Sequence, residues 1–173
     1  MATNVVFFNK RENKDIKTTQ MDVDAFNANY SLWTALLGRE PRTVYVADQR
    51  TQEANTQSGV RLINGDLLPS SGLTVATPNP LYVQGDYNAP TMQVKVGKKT
   101  VTVADPTKIV PASLVADAIT ILSNNWDDGD SGSDLGARRV SSKMTVNAAV
   151  IAGIVPTGGG YYSGGVENLL RLL

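Results

Sequence analysis

The sequence predicts a mainly β fold: a right-handed parallel β-helix-like solenoid with an N-terminal capping α-helix, and a β-sandwich as the alternative. Short runs of alternating apolar residues recur in pairs around turn residues, as in LTVATPNPLYVQGDYN at 73–88. Such a pair is too small to bury an apolar face alone and calls for stacked neighbours of its own kind. Glycine (15) and proline (8) are plentiful while charged residues make up only 18%, which suits a turn-rich β chain. The whole chain, 1–173, reads as a single domain.

Val5–Phe8 is a strand or an apolar plug, followed by a polar stretch to Gln20. Asp22 is a helix N-cap, and behind it Val23, Phe26, Tyr30, Trp33, Leu36 and Leu37 recur at helical steps. Gly38 stands where a left-handed C-terminal cap is wanted and Pro41 follows. Residues 1–38 are therefore expected to supply a strand and a helix whose aromatic stripe packs into the core and closes one end of the stack. TVYVAD at 43–48 is one strand arm, and TVTVAD at 100–105 nearly copies it. A polar connection at 49–58 leads to a strand at 60–64, with Gly65 as its turn.

In the central unit Leu73 and Val75 share a face, Pro78 and Pro80 make a corner, and Leu81 and Val83 resume the alternation. Residues 89–112 form an inserted hairpin, with Met92, Val94 and Val96 turning at Gly97-Lys98-Lys99 and Val101 and Val103 returning. Lys95, Lys98 and Lys99 are its solvated face and tip. SLVADAITILS at 113–123 gives two more arms, Leu114 and Ala116 and then Ile119 and Ile121, with a slip of phase between Ala118 and Ile119 that marks a bulge or corner. Residues 124–142 read as a flexible acidic loop. Residues 145–155 repeat the strand behaviour, 156–165 are a glycine-rich loop, and Val166, Leu169, Leu170 and Leu173 have helical spacing.

Composition narrows the chemistry. Lys plus Arg and Asp plus Glu are both 16, and this balance argues against nucleic-acid binding. Histidine and cysteine are absent, which removes disulfides, thiolate nucleophiles, Ser-His-Asp triads and any zinc site built on them. The apolar run near the start is too short for a signal peptide or a membrane span, so no membrane insertion by this segment is expected. Asp128, Asp130 and Asp134, with Gly129 and Gly132, are weak calcium candidates, because the glycine and the bidentate Glu of an EF-hand loop are both missing. Asp86, Asp105 and Asp117 read as corner carboxylates rather than a general acid–base pair. Gly158-Gly159-Gly160 lacks the GK[ST] of a phosphate loop, and Ser163 lacks the GxSxG elbow. No catalytic residue and no cofactor emerges, and the protein reads as no enzyme. Tyr82, Tyr87, Tyr161 and Tyr162 are the candidate partner contacts, since exposed aromatics anchor interfaces.

Residues 7–27 (FFNKRENKDIKTTQMDVDAFN), 44–52 (VYVADQRTQ), 59–91 (GVRLINGDLLPSSGLTVATPNPLYVQGDYNAPT), 111–128 (PASLVADAITILSNNWDD) and 145–173 (ending YYSGGVENLLRLL) carry a resemblance. Over these stretches the chain resembles a bacterial domain of unknown function found in PilX-like, type IV pilus-assembly-associated surface proteins. The resemblance implies a β-helical surface domain, located at the cell surface or in the periplasm, with other envelope or pilus proteins as partners and with possible self-association. It supplies no catalytic residues. Similar proteins have an N-terminal membrane or pilin-like segment and further chain beyond the VEN stretch, both missing here, so an excised domain or a shortened relative is expected. Together these point to a non-enzymatic structural or interaction module of the bacterial cell envelope, associated with type IV pilus or surface assembly. The alternative is a carbohydrate-binding or carbohydrate-cleaving β-helix domain. Grouping of Asp86, Asp117 and Tyr87 on one face would favour that alternative, and scatter would favour the structural reading.

Overall fold

The computed structural model describes residues 1–10, 12–50, 53, 55–133 and 142–153, and the backbone of 171–172. The chain opens with an antiparallel pair, β1 (Ala2–Asn9) and β2 (Lys14–Asp22), in which Phe7 lies opposite Ile16. Two short helices follow, α1 (Val23–Ala28) and α2 (Tyr30–Leu37). Strands β3 (Thr43–Tyr45), β4 (Thr56–Ile63), β5 (Leu73–Ala76) and β6 (Leu81–Gln84) come next. A hairpin of β7 (Thr91–Val96) and β8 (Lys99–Ala104) precedes a 3-10 turn at Pro106–Lys108. The described chain continues with β9 (Ala112–Val115), β10 (Ile119–Leu122), β11 (Ala149–Ile151) and β12 (Arg171–Leu172).

These strands make a six-stranded sheet in the order β1-β2-β4-β6-β10-β12, a four-stranded sheet in the order β11-β9-β5-β3, and the two-stranded β7-β8. The first is mixed, because β1 enters antiparallel while its other pairings are parallel; the second is parallel and the third antiparallel. From β2 to β12 the chain passes between the larger and the smaller sheet, leaving out only the β7-β8 hairpin. Val60 lies beside Leu81 and Leu81 beside Ile119, while Val75 lies beside both Val44 and Leu114. The alternation read from the sequence places these residues inward. Val60, Leu62, Leu81, Val83, Ile119 and Ile121 from one sheet meet Leu73, Val75, Leu114 and Ala116 from the other in one buried cluster. The slip of phase at residues 116–118 is the corner where the chain leaves the smaller sheet for the larger.

This arrangement corrects the expected β-helix-like solenoid with a helical cap. What forms is a mixed α/β assembly of several small sheets of differing kinds. The β-sandwich alternative is no better, since most neighbours within the two larger sheets run parallel. The helical segment keeps its predicted ends: Asp22 Oδ1 accepts from the Ala25 amide at 3.0 Å, and Gly38 is left-handed at φ 66°. It is broken at Asn29, however, and α2 buries none of its residues. Trp33 is 39% exposed and Leu36 69%, so the α2 part of the stripe is not core and no helical cap forms. The α1 part is anchored: Val23 is buried and Phe26 packs against the main core, Phe26 stacks on Trp33 at 6.4 Å, and the Tyr30 hydroxyl is hydrogen-bonded to Ser71 Oγ. Among the described residues no helix is long and apolar enough to cross a membrane.

The described start of the expected acidic loop has no helix or strand. Residues 124–133 fold as a strap over the outer face of the larger sheet, where Phe7, Ile16, Tyr82 and Leu122 make a second buried cluster with Trp126 against it. The Phe8 amide donates to Ser131 Oγ at 2.9 Å, and Trp126 meets Phe7 edge to face at 5.6 Å. At the far end, Arg171 and Leu172 pair in parallel with Thr120 and Ile121, so this part of the expected terminal helix is strand. The rest of that expectation, and the 156–165 loop, lie outside the described residues.

Candidate functional site

Side chains on a strand alternate between its faces, so the neighbours of the inward Val60, Leu62 and Val83 point out of the larger sheet. On that outer face Gln20 lies beside Arg61, and Arg61 beside Tyr82. Arg61 is only 4% exposed, and a buried guanidinium requires partners. Its Nη1 and Nη2 donate to Asp128 Oδ1 and Oδ2 at 2.6 and 2.9 Å, and its Nε donates to Gln20 Oε1 at 2.8 Å. The planar fork matches the carboxylate with two parallel bonds. The Phe7 ring lies 5.6 Å from the guanidinium carbon, and Trp126 Nε1 donates to the same Asp128 at 2.9 Å. This cluster fixes the strap.

Beyond the cluster, an open groove of about 780 Å³ runs along the C-terminal ends of β4, β6 and β10. Gln20, Arg61, Gln84, Asp86, Trp126 and Asp128 line its floor, all buried or half-buried. Asn64, Asp66, Thr91, Asn124, Asn125 and Asp127 form an exposed rim. The carboxylates here are largely committed. Asp86 Oδ1 accepts from the Thr145 amide at 2.7 Å, and Oδ2 accepts from Asn124 Nδ2 at 3.3 Å. Asp127 Oδ1 accepts from the Gly129 amide at 2.8 Å. They act as corner and turn acceptors.

The structure separates the residues picked out from sequence. Tyr82 and Tyr87 are 2% and 0% exposed, which corrects their reading as partner contacts. Tyr82 packs edge to face on Phe7 at 4.9 Å and accepts from Asn9 Nδ2 through its hydroxyl at 3.1 Å. Tyr87 belongs to the main core, where its hydroxyl has no partner among the described residues and burial pushes its ionisation well above the ordinary range. Tyr161, Tyr162 and Asp134 lie outside the described residues. Asp128 is held by Arg61 and Trp126 rather than poised for calcium, and Asp130 sits exposed in the strap. Among the described residues no group of acidic side chains is placed to hold a metal. Asp86 lines the groove, Tyr87 is core, and Asp117 lies at the corner where its carbonyl accepts from the Gly153 amide. These residues are scattered.

Arg61, Gln84 and Trp126 were not singled out from the sequence. The usable signal was Arg61 itself, a lone charge between the inward-facing Val60 and Leu62, with a Trp-Asp-Asp run elsewhere to receive it.

The β7-β8 hairpin is the other surface of interest. Met92 pairs with Val103 and Val94 with Val101, so Met92, Val94, Val96, Val101 and Val103 share one face. Val94 is half-buried and the other residues of that face are exposed. Lys95, Lys98 and Lys99 make no ion pair among the described residues, and 91–104 contains no acidic residue. The hairpin is tied down at its root. The Asp105 amide donates to the Pro90 carbonyl at 2.8 Å, and Asn88 Nδ2 donates to the Val110 and Asn147 carbonyls at 2.7 and 2.8 Å. Comparison of the chain with protein-family models, curated proteins and solved structures gives no match.

Proposed function

We propose that the protein is a non-enzymatic structural or interaction module of the bacterial cell envelope, serving type IV pilus or surface assembly at the cell surface or in the periplasm. Envelope and cell location rest on the sequence resemblance. The interaction role rests on one observation: a hairpin with an exposed aliphatic face, and lysines at its tip that make no ion pair among the described residues, standing outside the core. A two-stranded hairpin alone is marginal in water, and an apolar face on it gains stability only when covered. The partner that fits is a protein face with an apolar centre, acidic where Lys98 and Lys99 land.

The proposal is tested by placing a photo-crosslinking residue at Val96 or Val101, or at Thr100 or Thr102 on the opposite face, in a piliated bacterium making the protein. Crosslinks to envelope or pilus-assembly proteins are expected from the aliphatic face and not from the opposite one. Equal crosslinking from both faces, or none, overturns it.

A further inference from the structure

We infer that the groove at the C-terminal ends of β4, β6 and β10 binds an uncharged oligosaccharide. Neither the hairpin nor a grouping of Asp86, Asp117 and Tyr87, which the structure scatters, takes part here; the inference rests on the amides and Trp126 instead, goes beyond the interaction role and stands or falls separately. The groove, at about 780 Å³, is within the size range of small-molecule sites. It lies beyond the carboxyl ends of parallel strands, where loops of successive passes converge.

Its chemistry selects the ligand. Gln20, Asn64, Gln84 and Asn124 contribute side-chain amides, each with one end bonded within the protein, to Arg61, Asp22, the Trp126 carbonyl and Asp86 respectively. This leaves the Gln20 Nε2 donor and the Asn64, Gln84 and Asn124 side-chain carbonyl acceptors for a ligand. A sugar hydroxyl also donates and accepts, so paired amides meet it on both counts. Trp126 is half-buried, with its ring edge to face on Phe7 and its Nε1 bonded to Asp128, a fixed apolar wall beside those amides. Such a wall suits the C–H face of a pyranose ring.

The charges argue against other ligands. Arg61 is the cation of the groove, and Asp128 neutralises it through both oxygens. Among the described residues, a phosphate, sulfate or uronate would therefore face Asp66, Asp86 and Asp127 with no further positive charge in the lining to meet it. A cationic peptide would be drawn to those carboxylates, but Asp86 has both oxygens engaged and Asp127 has one engaged. An uncharged polyol uses the amides and the remaining lone pairs without needing a free carboxylate. The floor is also pre-organised: Gln20 is held by Arg61, and Gln84 Nε2 donates to the Trp126 carbonyl at 3.4 Å. Little side-chain order remains to be imposed on binding.

The test is a titration of the whole protein with uncharged oligosaccharides (glucan, galactan and N-acetylhexosamine oligomers), a uronic-acid oligomer and an oligolysine peptide. Binding is followed by calorimetry and by NMR shifts of side-chain amides, up to millimolar ligand. Saturable binding of at least one uncharged oligomer is expected, weakened about tenfold by Gln84→Ala. Asn64→Gly should weaken it too, and it keeps the left-handed backbone that Asn64 adopts at φ 54°. Lys98→Ala, at the hairpin tip, should leave it unchanged. Binding of the uronate or oligolysine alone, no binding at millimolar ligand, or binding indifferent to both groove variants while they remain folded overturns the inference.

Discussion

Asn88 sits 1% exposed at a left-handed backbone position, φ 53°, and joins three separate parts of the chain. Its amide nitrogen donates to the Val110 and Asn147 carbonyls, its side-chain oxygen accepts from the Val110 amide at 3.2 Å, and its own carbonyl accepts from Asn147 Nδ2 at 2.9 Å. Asn88→Ala should cost about 3 kcal/mol, from unpaired buried carbonyls plus the left-handed backbone. Asn88→Gly should cost about 1 kcal/mol less, because glycine accepts that backbone freely. Urea unfolding of the two variants measures the difference. Asn79 does similar work at the proline corner, accepting from the Asp48 amide at 2.8 Å and donating to the Asp48 carbonyl at 3.1 Å. Tyr87 offers the opposite case. Its buried hydroxyl has no partner among the described residues, so Tyr87→Phe should raise stability by about 1 kcal/mol by removing a desolvated group. Gly65 must stay small beneath that ring, since a Cβ there would lie 2.6 Å from Tyr87 Cδ2.

At the scale of elements, the 124–133 strap shows how one ion pair holds a loop on a sheet. Arg61 and Asp128 side chains are 5% and 31% exposed. Arg61→Ala leaves Asp128 and Gln20 without their partner and should cost about 3 kcal/mol, the low end for breaking a buried pair because Asp128 keeps contact with water. Trp126 should then become more exposed, read as a red shift of its emission with Trp33→Phe as the background. Unchanged emission would mean that the aromatic contacts alone fix the strap. Arg61→Lys should recover only part of the loss, since an ammonium does not reproduce the two-pronged contact. The helices teach a different lesson. Their caps and spacing are local and were legible in the sequence, whereas their burial depends on what lies across from them. Nothing among the described residues covers the outer side of α2.

For the whole molecule, one core cluster draws on both larger sheets, so the body should unfold in a single cooperative step. Two carboxylates contribute to its acid stability. The Arg50 guanidinium, bonded through Nε to Asp48 Oδ1 at 2.9 Å, holds the Asp48 carboxyl below its usual range. The Thr107 hydroxyl does the same for Asp105, at 2.5 Å. A carboxyl whose folded value lies below the unfolded one stabilises fully above the unfolded value, near pH 4, and loses that contribution as pH falls through the folded value. The contribution of these groups to the urea midpoint should therefore be full and independent of pH near neutrality, and fall away below about pH 4. Asp48→Asn should lower the neutral midpoint and flatten the acid limb. An acid limb unchanged by Asp48→Asn would place the loss elsewhere.

The sequence alone determined what a strand or a cap decides locally. The alternation of Leu73, Val75, Leu81, Val83, Ile119 and Ile121 marked core positions, Asp22 and Gly38 marked helix ends, and Gly97-Lys98-Lys99 marked a turn. Each is a preference of a few adjacent residues for one backbone shape or one face. The tertiary structure decided which sheet each strand joins, because pairing partners lie far apart in sequence and registers compete. TVYVAD and TVTVAD show the limit: one contributes β3 to the smaller parallel sheet, the other β8 to an exposed antiparallel hairpin. It also decided that Tyr82 and Tyr87 face inward, and that Arg61 and Asp128, far apart along the chain, close one side of a groove. Burial of a polar side chain depends on what arrives opposite it, and that is a property of the packed chain.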